Sequence, residues 1–237
     1  MCGLPKTFVK YNIGVLTDTL RMNHYSDNCC PLCRWDDPKL YFEDMNRIYL
    51  LCPDCCLVFV PKEYHLTTKA EKKEYDLHTN DTTEPGYRRF LSRLSKPMLE
   101  RLDSGQKGLD FGCGPGPVLH HLLKDHGHAM DLYDPFYVNN TDVFSNTYDF
   151  ITATEVVEHL HHPGQIFNRL FGLLRCGGWL GIMTKLILDR ESFSRWHYIR
   201  DLTHVCFYSR ATFAYIAQRY NTSLFFVGDD VILLQKG

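Results

Sequence analysis

From Lys107 to the last residue, short apolar runs alternate with amphipathic stretches, and that alternation predicts parallel strands joined by crossover helices. The strands are expected over 108–111, 129–133, 150–153 and 179–184. A helix over 165–175 starts after Pro163, puts Ile166, Phe167, Leu170, Leu173 and Leu174 on one stripe, and is expected to stop at Gly177 and Gly178. Another begins behind a capping Ser209 and turns Phe213, Ile216 and Tyr220 inward. Beyond it, apolar runs at 224–227 and 231–234 flank Asp229 and Asp230. They read as a hairpin whose last strand runs antiparallel to the rest. Upstream the pattern weakens. Residues 62–104 are charged and read as two helices, over 67–77 and 87–102, while 40–42 and 48–50 look like two short strands. No internal repeat and no low-complexity tract is present. The chain divides into an arm (1–28), a cysteine-rich ribbon (29–61), a helical lid or linker (62–104) and an α/β domain (105–237).

Composition adds little beyond excluding extremes. A hydrophobic share of 44% and a charged share of 23% are those of an ordinary globular protein, and the net charge of -2 argues against a field built for gripping phosphates. No apolar run reaches the roughly 20 residues of a membrane span, and Met1 to Tyr11 lack a signal-peptide pattern. The expectation is a cytoplasmic, reducing compartment with no membrane partner. That matters for the ten cysteines, six of which fall between Cys29 and Cys56. Clustered thiols in a reducing compartment point to metal rather than disulfides.

The chemistry concentrates first at Asp110-Phe111-Gly112-Cys113-Gly114-Pro115-Gly116, where the 108–111 strand runs into a helix beginning at Val118. Glycines there permit a tight turn and close approach of a ligand to the main chain. The spacing is GxGxG, because Pro117 breaks the GxGxxG of dinucleotide binders. Asp110 would repel a pyrophosphate but suits a ligand carrying an ammonium group. Asp134, near the end of the next strand, is placed to accept hydrogen bonds from a ribose diol.

At these residues the sequence resembles the class I S-adenosylmethionine-dependent methyltransferases, over about residues 85–237 and including the terminal hairpin. The implied fold is α/β, a Rossmann-like methyltransferase sheet ending in an antiparallel hairpin, preceded here by a small four-cysteine zinc ribbon. The resemblance implies that Asp110, Gly112, Cys113, Gly114 and Gly116 face the methionine part of the cofactor and that Asp134 holds its ribose. It further places Glu155 at the cofactor, and Tyr75, His78 and Tyr87 in a lid above it. One departure concerns 135–148, too short for the helix, third strand and adenine-side acid that the family fits there. Asp142 is the local candidate for that acid.

Cys30, Cys33, Cys52 and Cys55 form CxxC, eighteen residues, CxxC, a spacing suited to a four-thiolate zinc site. Cys29 and Cys56 leave the register open by one residue. With all four ligands cysteine, no coordination position is open and the zinc is structural; so small a module draws its stability from metal. Similar modules precede the methyltransferase domain in some sugar C-methyltransferases.

Thr154-Glu155-Val156-Val157-Glu158-His159 follows the 150–153 strand, and on a helical turn Glu155, Glu158 and His159 share a face. With His204 further on, this run resembles the ubiquinone-pathway O-methyltransferases and the small-RNA 2′-O-methyltransferases. By that resemblance Glu155, Glu158, His159 and His204 hold a divalent ion such as Mg²⁺, which activates a substrate hydroxyl. The metal-free alternative makes His159 or His204 the general base. Trp196 and Tyr198 are candidates to stack on the substrate, and Arg195 and Arg200 to bind an acidic group on it; His161 and His162 read as surface residues. A small-molecule acceptor fits the charge. The alternatives are RNA, gripped by the ribbon with Lys69, Lys72, Lys73, Arg88 and Arg89, and a cofactor-binding module without catalysis.

Overall fold

The computed structural model describes residues 29–77 and 85–237, so the arm at 1–28 and the lid residue His78 lie outside the described residues. Strands β1 (Lys39–Glu43) and β2 (Ile48–Leu51) form an antiparallel hairpin. Its reversal is set by Asp44, whose Oδ1 accepts the Asn46 and Arg47 amides at 2.7 and 3.0 Å, a side chain standing in for a backbone turn. Strand β3 (Val58–Phe59) pairs antiparallel with β2. Helix α1 (Thr68–Tyr75) is capped by the Thr67 hydroxyl, and α2 (Pro85–Leu99) buries Leu91, Leu94 and Met98.

The larger sheet begins with β4 (Lys107–Phe111), followed by α3 (Val118–Asp125) and β5 (Ala129–Tyr133). Then come β6 (Tyr148–Thr154), α4 (Pro163–Leu173) and β7 (Leu174–Met183). A short α5 (Arg190–Ser194) leads to β8 (Cys206–Phe207), α6 (Arg210–Arg219), β9 (Thr222–Val227) and β10 (Val231–Lys236). The sheet order is β5-β4-β6-β7-β10-β9. The first four strands are mutually parallel, and β10 lies antiparallel to both β7 and β9. The Rossmann-like sheet with its terminal hairpin is therefore present, built on six strands. Between β5 and β6 the chain makes only a 3₁₀ turn, Thr141–Ser145, so no third strand is inserted and β5 stands at the edge.

One boundary differs from the sequence expectation. Helix α4 ends at Leu173, not at the glycines, because Leu174 is already extended and paired with Tyr148. The register then shifts between Tyr148 and Phe150. Gly177 takes φ 77°, and a Cβ on Gly178 would lie 2.9 Å from the Asp149 carbonyl. Gly177 and Gly178 therefore shape an irregularity in β7 rather than cap a helix.

The two sheets share a core. Strand β8 adds to the edge of the small sheet, pairing antiparallel with β3, to give the order β1-β2-β3-β8. One continuous apolar cluster runs from Leu32, Tyr49 and Leu57 through Phe207 and Phe213 to Ile151 and Leu180. On the other face, α2 and α3 cover Phe150, Met183 and Leu233. Close contacts weld the seam. The buried Thr212 hydroxyl donates to the Cys56 carbonyl at 2.8 Å, and the Gly164 amide donates to the Pro31 carbonyl at 3.2 Å.

At Gly164 a Cβ would sit 2.4 Å from the Leu32 carbonyl oxygen, which is backbone and cannot swing away. Gly164→Ala is expected to destabilise by about 1–3 kcal/mol, a drop of several degrees in Tm by calorimetry. An unchanged Tm would mean that the first cysteine knuckle does not pack on α4.

Candidate active site and the four-cysteine cluster

At the carboxyl end of β4 the backbone enters the left-handed region, with φ 77° at Gly112 and 64° at Gly114. Gly112 has a second reason to be glycine: a Cβ there would lie 2.4 Å from Val156 Cγ2. The Gly112 and Cys113 amides donate to the Tyr133 carbonyl at 2.7 and 3.2 Å, drawing the loop across the end of β5. Asp134 Oδ2 accepts the Gly114 amide at 3.0 Å, while Oδ1 accepts the Phe136 and Tyr137 amides at 2.8 and 3.1 Å. Its carboxylate thus ties the glycine loop to the turn after β5.

Two of the expected cofactor residues stand behind this surface. Gly116 is buried just ahead of α3, whose N-cap is Pro117, and its carbonyl accepts the Val118 amide at 2.8 Å. Asp110 lies under the loop, and its Oδ1 accepts the Thr152 hydroxyl at 2.9 Å. Burial pushes its carboxyl up to about 7. The Thr152 hydrogen bond opposes that rise and the Asp134 charge adds to it. Asp110 therefore supports the loop from within and does not line the cleft in front of it.

The cleft has a volume of about 760 Å³ and opens beyond the carboxyl ends of the parallel strands, where ligands bind in open α/β sheets. Gly112, Cys113, Gly114 and Asp134 line one end, and Tyr75 and Tyr87 face them from the helices. The residues fit S-adenosylmethionine. The glycines leave backbone bare toward the cleft, Asp134 offers carboxylate oxygens, and the buried Thr154 Oγ1 in the cleft wall has no hydrogen-bond partner among the described residues. Asp142 is exposed on the outer turn and does not reach the cleft.

The rest of the lining includes Glu155, His159, Lys185, Tyr198, Asp201 and His204. Glu155 takes φ 51°, and the 3₁₀ turn Val157–His159 starts only after it, so the three residues do not lie on one helical turn; Glu155 and His159 line the cleft. Glu158 is fully buried behind the cleft wall. It accepts the Tyr198 hydroxyl in a short hydrogen bond and the Thr184 hydroxyl at 3.1 Å. Burial, then the charge of Glu155, push it up to about 8, against the Tyr198 bond. Tyr198 donates its hydroxyl to Glu158, and burial raises its pKa well above the ordinary phenol range.

His159 Nδ1 lies 3.3 Å from the Thr203 carbonyl and His204 Nδ1 2.8 Å from the Tyr198 carbonyl. A carbonyl only accepts, so both rings are protonated at Nδ1 and carry the lone pair at Nε2. Burial lowers both rings. His159 falls to about 3, with the neighbouring His204 adding to the effect. For His204 the nearby Asp201 carboxylate, 3.6 Å from Nε2, opposes the fall. The ligand atoms of Glu158, His159 and His204 lie within 4.8 Å of one another. Two imidazoles and a carboxylate already holding two hydrogen bonds fit magnesium poorly, since that ion takes an octahedral oxygen shell.

Several expectations fall elsewhere. Trp196 stacks on Tyr198 at 4.8 Å and packs against Phe193, away from the cleft. Arg195 pairs with Glu191 at 2.6 Å in solvent, and Arg200 is exposed. Conversely, His161 and His162 line the cleft, and His161 Nε2 lies 3.6 Å from the buried Glu71. Glu71, Lys185 and Asp201 were not legible beforehand, because charged residues in loops and on helices carry no periodic signal.

The four cysteines converge as the CxxC spacing requires. Cys30 and Cys55 sulfurs are 3.5 Å apart, Cys33 and Cys52 sulfurs 3.4 Å, and all four lie within 4.8 Å of one another. A tetrahedral ion with bonds of about 2.3 Å implies sulfur separations of about 3.8 Å, so the quartet fits one. Cys29 and Cys56 lie outside this quartet, and Cys56 sits on a left-handed backbone (φ 58°).

A family described as "Methyltransferase domain" matches residues 83–224, more than half of the chain, and the protein belongs to that family. It is a class I S-adenosylmethionine-dependent methyltransferase. A solved structure of similar fold is the 1,6-didemethyltoxoflavin-N1-methyltransferase of Burkholderia thailandensis, with bound 1,6-didemethyltoxoflavin and S-adenosylhomocysteine. It is 14% identical at a TM-score of 0.50 over 84% of this chain and 99% of that one. Another is an O-methyltransferase family protein from the same organism, 12% identical at a TM-score of 0.48 over 70% of this chain and 62% of that one. No curated protein matches in sequence. Among the described residues no helix is long and apolar enough to cross a membrane.

The raised Asp110 carboxyl has a consequence for stability. Between its unfolded value of 3.8 and about 7 the folded chain keeps a proton that the unfolded chain has lost. This residue's contribution therefore weakens as pH rises through that window, by at most about 4 kcal/mol. Asp110→Asn keeps an acceptor for Thr152 and removes the charge. In urea unfolding it is expected to gain stability relative to wild type at pH 8 and not at pH 4. An equal difference at both values would contradict the assignment.

Proposed function

We propose that this methyltransferase acts on a small-molecule acceptor whose proton is taken by His204. The observation that carries the reading is an imidazole held neutral, with its free Nε2 in the same cleft as the glycine loop. S-adenosylmethionine, when bound, supplies an electrophilic methyl group on a sulfonium and leaves as S-adenosylhomocysteine. The chain's own residues do the rest. Asp134 and the loop of Gly112, Cys113 and Gly114 hold the cofactor, with Tyr87 and Glu155 beside them. Asp110 and Gly116 keep that loop in shape. His204 accepts the proton that the acceptor atom loses, and Asp201 stabilises the imidazolium that results. His159, pushed to about 3, stays neutral throughout and serves as a hydrogen-bond acceptor toward the substrate.

The cleft volume must accommodate cofactor and acceptor together, which favours a small molecule. The fold likeness to the toxoflavin N1-methyltransferase, itself bound to a small heterocycle, supports the same direction. RNA is the weaker reading: Lys72, one of the cations it would need, is engaged by Asp76 at 2.7 Å. We further propose that residues 29–61 form a ribbon holding a structural zinc on Cys30, Cys33, Cys52 and Cys55. In this reading 62–104 are the lid and linker, 105–237 the methyltransferase domain, and the reducing cytoplasm the working compartment.

The test is transfer of label from radiolabelled S-adenosylmethionine into a cell extract, fractionated into small molecules, RNA and protein. Label is expected in small molecules and unchanged by brief EDTA treatment that leaves the zinc in place. His204→Gln should lower the rate about 10²- to 10⁴-fold while cofactor affinity holds. Since burial lowers the His204 pKa, the rate should stay high at pH 6.5 and decline only at more acidic values. Label in RNA, or a rate abolished by that treatment and indifferent to His204→Gln, would overturn the reading. No label anywhere, with the cofactor bound, would favour a binding module.

A further inference from the structure

Arg47 sits in the turn of the ribbon hairpin, yet only 3% of its surface is exposed. A guanidinium so buried must find partners for its donors, and it finds them in another part of the chain. Nη2 donates to the carbonyls of Ile199 and Asp201 at 2.9 and 3.0 Å, and Nη1 to that of Leu202 at 3.3 Å. Nε donates to the Tyr49 hydroxyl at 3.0 Å, and that hydroxyl donates to Asp44 Oδ2 at 2.9 Å. Asp44 is the residue that sets the hairpin turn. The guanidinium is thereby fixed from the ribbon side before it reaches across.

The three carbonyls belong to the segment between Tyr198 and His204. This segment leaves the 3₁₀ turn His197–Arg200 and carries Asp201, and the strand pairing of β8 starts only at Cys206. The Tyr198 carbonyl fixes the His204 tautomer, so the path of this short segment decides where His204 Nε2 points. A rigid planar fork spans three carbonyls of a tight loop, which the single ammonium of a lysine cannot do.

We propose that Arg47 is a positioning residue for His204, so that the ribbon hairpin forms part of the acceptor site of the methyltransferase. Arg47 touches neither cofactor nor acceptor. It acts by holding the Ile199–Leu202 backbone, and its effect on turnover rests on the reading of His204 as the base.

The test uses the full, zinc-loaded chain with Arg47→Met and Arg47→Lys. Amide hydrogen exchange is followed by mass spectrometry in peptides covering 198–204 and 112–116. Exchange in 198–204 is expected to accelerate in Arg47→Met and less so in Arg47→Lys, while 112–116 stays as in wild type. Methyl transfer should fall about 10²-fold in Arg47→Met with S-adenosylhomocysteine affinity unchanged, and added millimolar guanidinium should restore part of the rate. Equal exchange in 198–204 across the three proteins would overturn the proposal. So would loosening of 112–116 to the same degree, the mark of general destabilisation. A wild type that transfers no methyl group but shows the expected exchange pattern would sink the functional reading and leave the positioning role standing.

Discussion

The backbone of Val205 is the point on which the two sheets turn. Its carbonyl accepts the Val60 amide of the ribbon at 2.9 Å, and its amide donates to the Glu158 carbonyl beside the large sheet at 2.8 Å. One residue thereby joins the small sheet, the 3₁₀ turn of Glu158 and His159, and the His204 loop. The β3–β8 pairing continues that seam for two residues, and the apolar cluster beneath it has no boundary between ribbon and methyltransferase. A thiol module this small has little core of its own; here it borrows one.

The cleft is an arrangement of charges kept in unusual states. Asp110 and Glu158 sit where water cannot reach them, and both are pushed toward the protonated form. His159 and His204 are pushed the other way, toward the neutral ring. The same cause, desolvation, acts on acids and imidazoles with opposite sign, and it removes charge from both. The carboxylates held low are Glu71, helped by His161 and Tyr75, and Asp201, helped by Thr203. Around these residues the cleft offers ionised carboxylates and neutral imidazoles, with Lys185 in its wall.

Much of this was legible in the chain. The apolar pattern located most elements: α3 buries Val118, Leu119 and Leu123 on one stripe, and β10 buries the continuous run Val231–Leu234. The CxxC spacing found the four sulfurs, since metal geometry restricts which cysteines can meet. The short 135–148 segment foretold the missing third strand. What escaped depends on contacts distant in sequence. Nothing local marks Arg47 as the clamp on residues 199–202, or Glu71 as a cleft residue. The Glu155–Glu158–His159 run reads as one helical face in sequence, but the left-handed backbone at Glu155 means that no single helical turn carries all three. Asp110 is marked in sequence by its place before the glycines, but its burial under the loop is a property of the packed sheet.

The shared core and the β3–β8 pairing make the cysteine-rich ribbon one folding unit with the large sheet. Zinc release, read with a chromophoric chelator during a urea titration while circular dichroism reports the large sheet, tests this directly. A shared core predicts one coincident transition, with metal lost as the sheet unfolds. Zinc leaving at markedly lower urea, with the large sheet and cofactor binding intact, would contradict it.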